Sequence, residues 1–219
     1  MKKLLNRTDL HQYQNQCLAF MAAHDKCGVF LDMGLGKTAI CLTRLADLKA
    51  NGLLTRALII APKRVAEDTW PKELNNWEHL KGLTLSLVAG TEKQRRQALQ
   101  TEADIYVIGR DNVAWLIASL SGAWPFPDVI IDESSSFKNS KSKRFRALRM
   151  VAPKIKRLVL LTGTPTSNSL LDLWPQIYLL DQGERLGKTL KAFQDRYFVK
   201  DSEYKMHPDY ILRPFKPEL

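Results

Sequence analysis

An α/β fold built on a doubly wound parallel sheet is predicted by three features of this 219-residue sequence. Short, largely apolar runs at Ala57–Ala61, Ile105–Ile108, Val129–Ile131 and Arg157–Leu161 lack polar alternation, the mark of strands buried on both faces. Segments with helical spacing separate them, as crossovers between parallel strands require. A further run, Val29-Phe30-Leu31, breaks at Gly34 and Gly36 and resumes as a helix-like pattern through Ala39, Ile40, Leu42, Leu45 and Ala46.

In chain order, Leu10-His11-Gln12-Tyr13-Gln14 leads into a helix marked by Cys17, Leu18, Phe20 and Met21, with Asp9 as its expected N-cap. The strand Val29–Leu31, the glycine loop and its helix follow. Ala57–Ala61 reads as a central strand between Arg56 and Pro62. Pro62-Lys63-Arg64-Val65 is then a turn at the C-terminal edge, where open α/β sheets take ligands. Trp70, Leu74 and Trp77 recur at helical spacing and belong to the core. Leu83–Val88 alternates like a strand, and Thr91-Glu92-Lys93-Gln94 has the form of a capping box opening a polar helix to Leu99. After the strand Ile105–Ile108 come the Gly109-Arg110-Asp111-Asn112 turn, an apolar helix through Trp115 and Leu116, and a Pro125-Phe126-Pro127 turn.

The strand Val129–Glu133 ends in two carboxylates, Asp132 and Glu133. Ser142–Val151 is a helix with Phe145, Leu148 and Val151 on one face and Lys143, Arg146 and Arg149 on another. Arg157–Leu161 ends in Thr162-Gly163-Thr164-Pro165. Leu170–Leu180 and Leu190–Phe198 are helical. From Lys200 onward, Met206-His207-Pro208, Arg213-Pro214 and Lys216-Pro217 predict an extended tail or linker, so that residues 1–199 make one domain and 200–219 the tail.

Composition is that of an ordinary globular chain, 45% hydrophobic and 26% charged. No apolar run approaches the roughly 18–20 residues that cross a bilayer. Asn6-Arg7-Thr8-Asp9 ends any signal-like segment after Met-Lys-Lys-Leu-Leu, so the expected location is the cytoplasm, or that of a host cell if the chain is phage-encoded. Cys17, Cys27 and Cys41 read as small core residues in a reducing compartment, and the four histidines have no ligand spacing. The net charge of +10 is concentrated. Between Ser134 and Leu171 there is no acid, but there are Lys138, Lys141, Lys143, Arg144, Arg146, Arg149, Lys154, Lys156 and Arg157. One basic surface facing a polyanion is expected; a solvated face with acids nearby in space is the alternative.

The glycine loop has the context of a phosphate-binding loop. Its glycines let backbone N–H groups approach a polyphosphate, and the next helix presents its positive end. Lys37 is then expected on the β- and γ-phosphates and the Thr38 hydroxyl on Mg²⁺. Gln14, about twenty residues ahead, is placed to read an adenine edge, because its amide both donates and accepts. With such a loop present, Asp132 is expected to hold Mg²⁺ and Glu133 to polarise the attacking water. The hydroxyls of Thr162 and Thr164 are expected where they sense a γ-phosphate.

Taken together these motifs resemble the first RecA-like lobe of a superfamily 2 translocase, most closely the Swi/Snf-type DNA-dependent ATPases. The resemblance rests on Leu10-His11-x-Tyr13-Gln14, Asp32-Met33-Gly34-Leu35-Gly36-Lys37-Thr38, Ala61-Pro62-Lys63 with Trp70-x-x-Glu73, Asp132-Glu133 followed by Lys138-Asn139, and Leu161-Thr162-Gly163-Thr164-Pro165-x-x-Asn168. It covers residues 9 to about 180. It implies ATP and Mg²⁺ as cofactors and duplex DNA as partner. Gln14, supported by His11 and Tyr13, reads adenine. Gly34, Leu35, Gly36 and Lys37 hold phosphates, Thr38 and Asp132 hold Mg²⁺, and Glu133 activates water. Pro62, Lys63, Arg64, Arg110 and Asn112 face the DNA backbone, with Lys138, Lys143, Arg146 and Arg149 on the basic stretch, while Thr162 and Thr164 couple nucleotide state to DNA.

Two departures qualify these expectations. The family's usual Asp-Glu-Ala-His is Asp132-Glu133-Ser134-Ser135, so coupling ascribed to the histidine must run through a serine. That variant, with Leu173-Trp174-Pro175-Gln176, is similar to compact phage and prophage members. The family also needs a second RecA-like lobe carrying arginine fingers, expected in another polypeptide or a longer parent chain; Arg185 does not meet that role. The chain is thus expected to be a catalytically incomplete ATPase lobe, the alternative being a free-standing DNA- or protein-binding module with little ATP turnover.

Overall fold

The computed structural model describes residues 4–200 and 210–212. Its strands are the apolar runs: β1 (Lys26–Phe30), β2 (Ala57–Ala61), β3 (Leu85–Val88), β4 (Ile105–Gly109), β5 (Asp128–Asp132) and β6 (Arg157–Thr162). They pair in parallel throughout, in the order β1-β6-β5-β2-β4-β3. Every residue of β2, β5 and β6 is buried, which is why no polar alternation marks them.

Successive residues on each strand serve opposite layers. Ala57, Ile59 and Ala61 join Leu18 and Met21 of α1 (Gln12–Ala23), Ile40 and Leu45 of α2 (Lys37–Ala50), and Trp70 of α3 (Trp70–Leu74). Leu58 and Ile60 join Val113 of α5 (Val113–Ser119), Phe145 and Leu148 of α6 (Lys143–Val151), and Trp174 and Tyr178 of α7 (Leu173–Asp181). The polar α4 (Glu92–Gln100) opens with the expected box, Thr91 N–H donating to the Gln94 side chain at 2.8 Å. Cys27 and Cys41 are buried in the first layer. No helix among the described residues is long and apolar enough to cross a membrane.

Several local expectations are corrected. Asp9 does not cap α1; it ends a short turn, accepting from Asn6 N–H at 2.7 Å, and His11 is the N-cap, its N–H donating to Gln14 Oε1 at 2.8 Å. β1 stops at Phe30, which is 40% exposed because β1 is an edge strand, and Leu31 already belongs to the loop. Lys63 and Arg64 are not in an open turn. They begin a helical segment that widens into a π-helix at Val65–Thr69 before α3. Trp77 lies past α3 but stays buried, its Nε1 donating to Glu73 Oε1 at 2.8 Å. Leu170–Asp172 is a separate turn before α7.

At the C-terminal end, α8 (Leu190–Tyr197) runs into β7 (Phe198–Lys200), which pairs antiparallel with β8 (Tyr210–Leu212). The expected 199/200 boundary falls inside β7. Met206-His207-Pro208, Arg213-Pro214 and Lys216-Pro217 lie outside the described residues.

The basic side chains of the stretch lie at the surface except at its last residue. Arg157, at the N-terminal edge of the sheet, is only 8% exposed and grips Asp128, itself 2% exposed. Its Nε and Nη2 donate to the two carboxylate oxygens, the second at 2.9 Å, and Nη2 also reaches Leu53 O at 2.8 Å. Removing one partner of such a pair leaves a buried charge uncompensated. Asp128→Ala is therefore expected to cost about 3–5 kcal/mol in urea unfolding, and the joint replacement Asp128→Leu with Arg157→Met clearly less. A loss for Asp128→Ala below about 1 kcal/mol would place the pair with exposed ion pairs.

Candidate functional site

Parallel register sets neighbouring strand ends side by side. Phe30 at the end of β1 lies opposite Thr162 at the end of β6, and Leu161 lies opposite Asp132 at the end of β5. The glycine loop, the threonine turn and the acid pair therefore emerge at one edge.

In the loop, Gly34 and Gly36 take left-handed φ values of 81° and 68°. Gly36 caps α2, and a β-carbon there would lie 2.4 Å from Gln14 Nε2, so a side chain would both strain the left-handed backbone and displace the Gln14 amide. Lys37 Nζ donates to Leu31 O at 2.7 Å and Asp32 O at 2.9 Å, which holds the ammonium across the loop. Gln14 is buried against the loop, its Nε2 3.5 Å from Leu35 O, while Tyr13 Oη donates to the same carbonyl at 3.2 Å. His11 stacks on Tyr13 with ring centroids 5.7 Å apart. The amide of Gln14 thus has protein partners at both ends, with one N–H of Nε2 to spare.

Asp132 is 7% exposed. Trp70 Nε1 donates to its Oδ2 at 3.0 Å and Glu133 N–H to its Oδ1 at 3.0 Å. Burial raises the carboxyl above the usual range; the Trp70 hydrogen bond and the Lys37 charge oppose this, and the Glu133 charge adds to it. Glu133 adopts a left-handed backbone, φ 53° and ψ 56°, a strained conformation for a non-glycine residue. A buried carboxylate, a hydroxyl at Thr38 and an ammonium at Lys37 share one edge with an anion-accepting loop. That donor set is hard oxygen for a small divalent cation, with backbone N–H and ammonium for phosphate, and it fits Mg²⁺ with a nucleoside triphosphate.

The threonine turn touches both neighbours. A β-carbon on Gly163 would lie 3.4 Å from Leu31 O and 3.7 Å from Met33 N, so this turn packs on the glycine loop. Thr162 is buried and its Oγ1 accepts from Thr164 N–H at 3.0 Å, while Thr164 itself is exposed. Gln176 on α7 reaches the other way. Its Oε1 accepts from the Ser134 hydroxyl at 2.8 Å and its Nε2 donates to Pro165 O at 2.7 Å and Asp172 O at 2.9 Å.

The expected nucleic-acid residues divide into two groups. Lys63 and Arg64 are exposed beside the Arg110–Asn112 turn, and a β-carbon on Gly109 would lie 3.7 Å from Lys63 Cα. A cavity of about 530 Å³ opens there between Lys63, Gly90, Thr91, Arg95 and Asn112. Arg95 donates to Asn112 Oδ1 at 3.1 Å and lies over the Trp115 ring at 4.2 Å. In the second group the side chains have internal partners. Lys138 Nζ donates to Ser167 Oγ at 2.6 Å and lies 3.6 Å from Asp172, Arg146 binds Lys141 O, and Arg149 Nε donates to Tyr178 Oη at 3.1 Å. Arg144 pairs with Asp111 at 3.3 Å. Acids from other segments thus reach part of the basic stretch, as the solvated-face alternative expects, and Lys143 remains exposed on α6.

Trp70 and Gln176 were missed as site residues. Trp70 reads as core by its spacing, yet a buried indole needs an acceptor for its N–H. Gln176 is a polar residue inside an apolar helix, and that mismatch is its only signal.

Comparison with known proteins places these observations. The model of the SNF2-related domain matches residues 13–205. Protein p41 of Acyrthosiphon pisum secondary endosymbiont phage 1 is 41% identical over 195 residues, covering 86% of this chain and 42% of that protein. DNA excision repair protein ERCC-6-like of Homo sapiens is 30% identical over 209 residues, covering 90% of this chain and 16% of that one. The chain therefore spans about two fifths of the phage protein and about a sixth of the human one. Among solved structures, the Sulfolobus solfataricus SWI2/SNF2 ATPase core in complex with dsDNA superposes with a TM-score of 0.72 at 24% identity, covering 90% of this chain and 40% of that one. It has the same fold.

The raised carboxyl of Asp132 has a stability consequence. Its charge opposes folding above the raised folded-state pKa, and the penalty disappears as pH falls toward the unfolded value. Asp132→Asn removes the charge but keeps an acceptor for only one of the two N–H donors, so relative to the parent it should melt best at pH 7–8. Its standing against the parent should fall as pH is lowered toward 4. Trp70→Phe should melt lower, most clearly at high pH. A pH-independent difference in thermal melts for both variants would show that the carboxylate carries no folding penalty.

Proposed function

The chain belongs to the SNF2-related domain family, and on that premise we propose that it is the ATP- and DNA-binding first RecA-like lobe of a DNA-translocating ATPase. The observation that carries this reading is the meeting of the glycine loop, the Asp132-Glu133 pair and the threonine turn at the ends of β1, β5 and β6. Backbone N–H groups at Gly34, Leu35 and Gly36 with the Lys37 ammonium bind the β- and γ-phosphates, for which Lys37 exchanges its carbonyl partners. Thr38 and Asp132 hold Mg²⁺, which when bound polarises the phosphoryl oxygens. Glu133 accepts the proton of the attacking water. Gln14 Nε2, with Tyr13 and His11, recognises adenine beside the loop.

On the same edge, Pro62, Lys63, Arg64, Arg110 and Asn112 face duplex phosphates. Lys143 and Arg146 extend that surface, and Lys138 and Arg149 support it from their internal partners. Thr162 and Thr164 report nucleotide state to it. Hydrolysis needs charge stabilisation by an arginine finger, worth about 10³–10⁵ in rate. Arg185 is held by Asp181 at 2.7 Å, and we assign the finger to a second RecA-like lobe, in another polypeptide or a longer parent chain. The setting would be the cytoplasm, or a host cell's for a phage protein. A free-standing DNA- or protein-binding module with little or no ATP turnover is the second reading, favoured by Arg185 being engaged by Asp181 and so not free to act as a finger.

ATP hydrolysis by this chain, with and without duplex DNA and with a candidate second lobe, tests the proposal. We expect slow turnover alone and an increase of about 10³-fold or more when the lobe is completed. Brisk DNA-stimulated turnover by the chain alone would remove the need for a second lobe. Glu133→Gln should abolish turnover while ATP still binds; surviving turnover would cancel the base assignment. Lys143→Glu with Arg146→Glu should weaken duplex binding and reduce its salt slope by about one to two units. Unchanged binding would leave that face as solvated surface.

A further inference from the structure

Gln176 has no exposed surface, and its amide is shared among three segments. The Ser134 hydroxyl donates to Oε1, Nε2 donates to Pro165 O, and its second N–H goes to Asp172 O one turn back in the chain. Ser134, 1% exposed, directly follows Glu133 and its left-handed backbone. Pro165 closes the turn whose Gly163 packs on the phosphate loop. One amide therefore ties the segment that carries the proton acceptor to the segment that touches the phosphate loop on one side and exposes Thr164 on the other.

We propose that Gln176 is a positioning residue that makes the Glu133-Ser134 turn and the Thr162–Pro165 turn move as one unit, so that occupancy of the phosphate loop and engagement of DNA are felt at each other's site. The inference rests on the ATP- and DNA-binding reading above. It assigns the coupling to Ser134, since that hydroxyl meets Gln176. Only an amide meets the chemistry of this position. It accepts from one hydroxyl and donates to two carbonyls at once, whereas leucine would strand all three partners and glutamate would set a carboxylate against two carbonyl oxygens. The link from Lys138 to Ser167 and Asp172 runs between the same two regions but lies nearer the surface, where water can replace it.

The test uses the full chain and measures duplex affinity with and without a non-hydrolysable ATP analogue and Mg²⁺, the ratio being the coupling factor. Coupling between sites typically amounts to about 5–150-fold, and a factor of at least five is expected for the parent. Gln176→Leu should bring the factor close to one while each ligand alone binds within about two-fold of the parent, as a purely structural defect would not. Ser134→Ala removes a single hydroxyl, so it keeps the test available if Gln176→Leu does not fold, and it should act in the same direction. The double variant should lose nothing further. Gln176→Glu should uncouple at neutral pH, because its carboxylate faces two carbonyl oxygens, and its protonated form, with one O–H donor, should restore coupling only in part. A coupling factor unchanged in Gln176→Leu or Ser134→Ala overturns the inference. So does a parent that binds both ligands with a factor of one. A parent that binds neither ligand overturns the functional reading instead.

Discussion

Parallel pairing of β1, β6 and β5 is the constraint from which the rest of this structure follows. Adjacent parallel strands lie about 4.8 Å apart and end on the same side of the sheet. Residues near 30, 132 and 162 therefore become neighbours although the chain separates them widely. The helices between them need only cover the two faces, which they do with separate apolar layers. Chemistry collects at one edge because polar loops there are free to vary, while the strand interiors are apolar and buried.

That edge concentrates features that work against stability. A carboxylate is buried at Asp132, Glu133 adopts a left-handed backbone, and Gly36 takes a positive φ against the Gln14 amide. The first and last are tolerated because neighbouring groups hold them: an indole N–H and a backbone N–H for Asp132, and the Gln14 amide for the loop. Strain of this kind gathers where geometry matters more than folding energy. Elsewhere the chain is conventional, with apolar strands and satisfied caps at Thr91, Ser142 and Thr189.

Much of this was legible in the sequence, for reasons that particular residues make clear. β2, β4, β5 and β6 were readable because strands buried on both faces leave uninterrupted apolar runs. β1 was misjudged at its end because an edge strand needs no such continuity, and Phe30 turns outward. The glycine loop was legible because positive φ at positions 34 and 36 calls for glycine. Trp70 was not, since a tryptophan at core spacing looks the same whether or not its N–H meets a carboxylate. The links made by Gln176 and the internal partners within the basic stretch were not legible, for one shared reason. Hydrogen bonds and ion pairs are made between segments distant in sequence, as between Arg144 and Asp111 or Ser134 and Gln176, and linear patterns carry no record of them.

The edge position of β1 also has a kinetic side. Within the six-stranded sheet β1 is paired with β6 alone, and β6 ends at Thr162. During synthesis the glycine loop therefore leaves the ribosome well before the strand that anchors it. The first strand made is the last that can be seated. Pairings of such long sequence separation form late and slowly. Until β6 arrives, β1 presents unpaired backbone on both sides, and a nascent chain of this fold has its greatest exposure to mispairing at the segment that runs into the glycine loop.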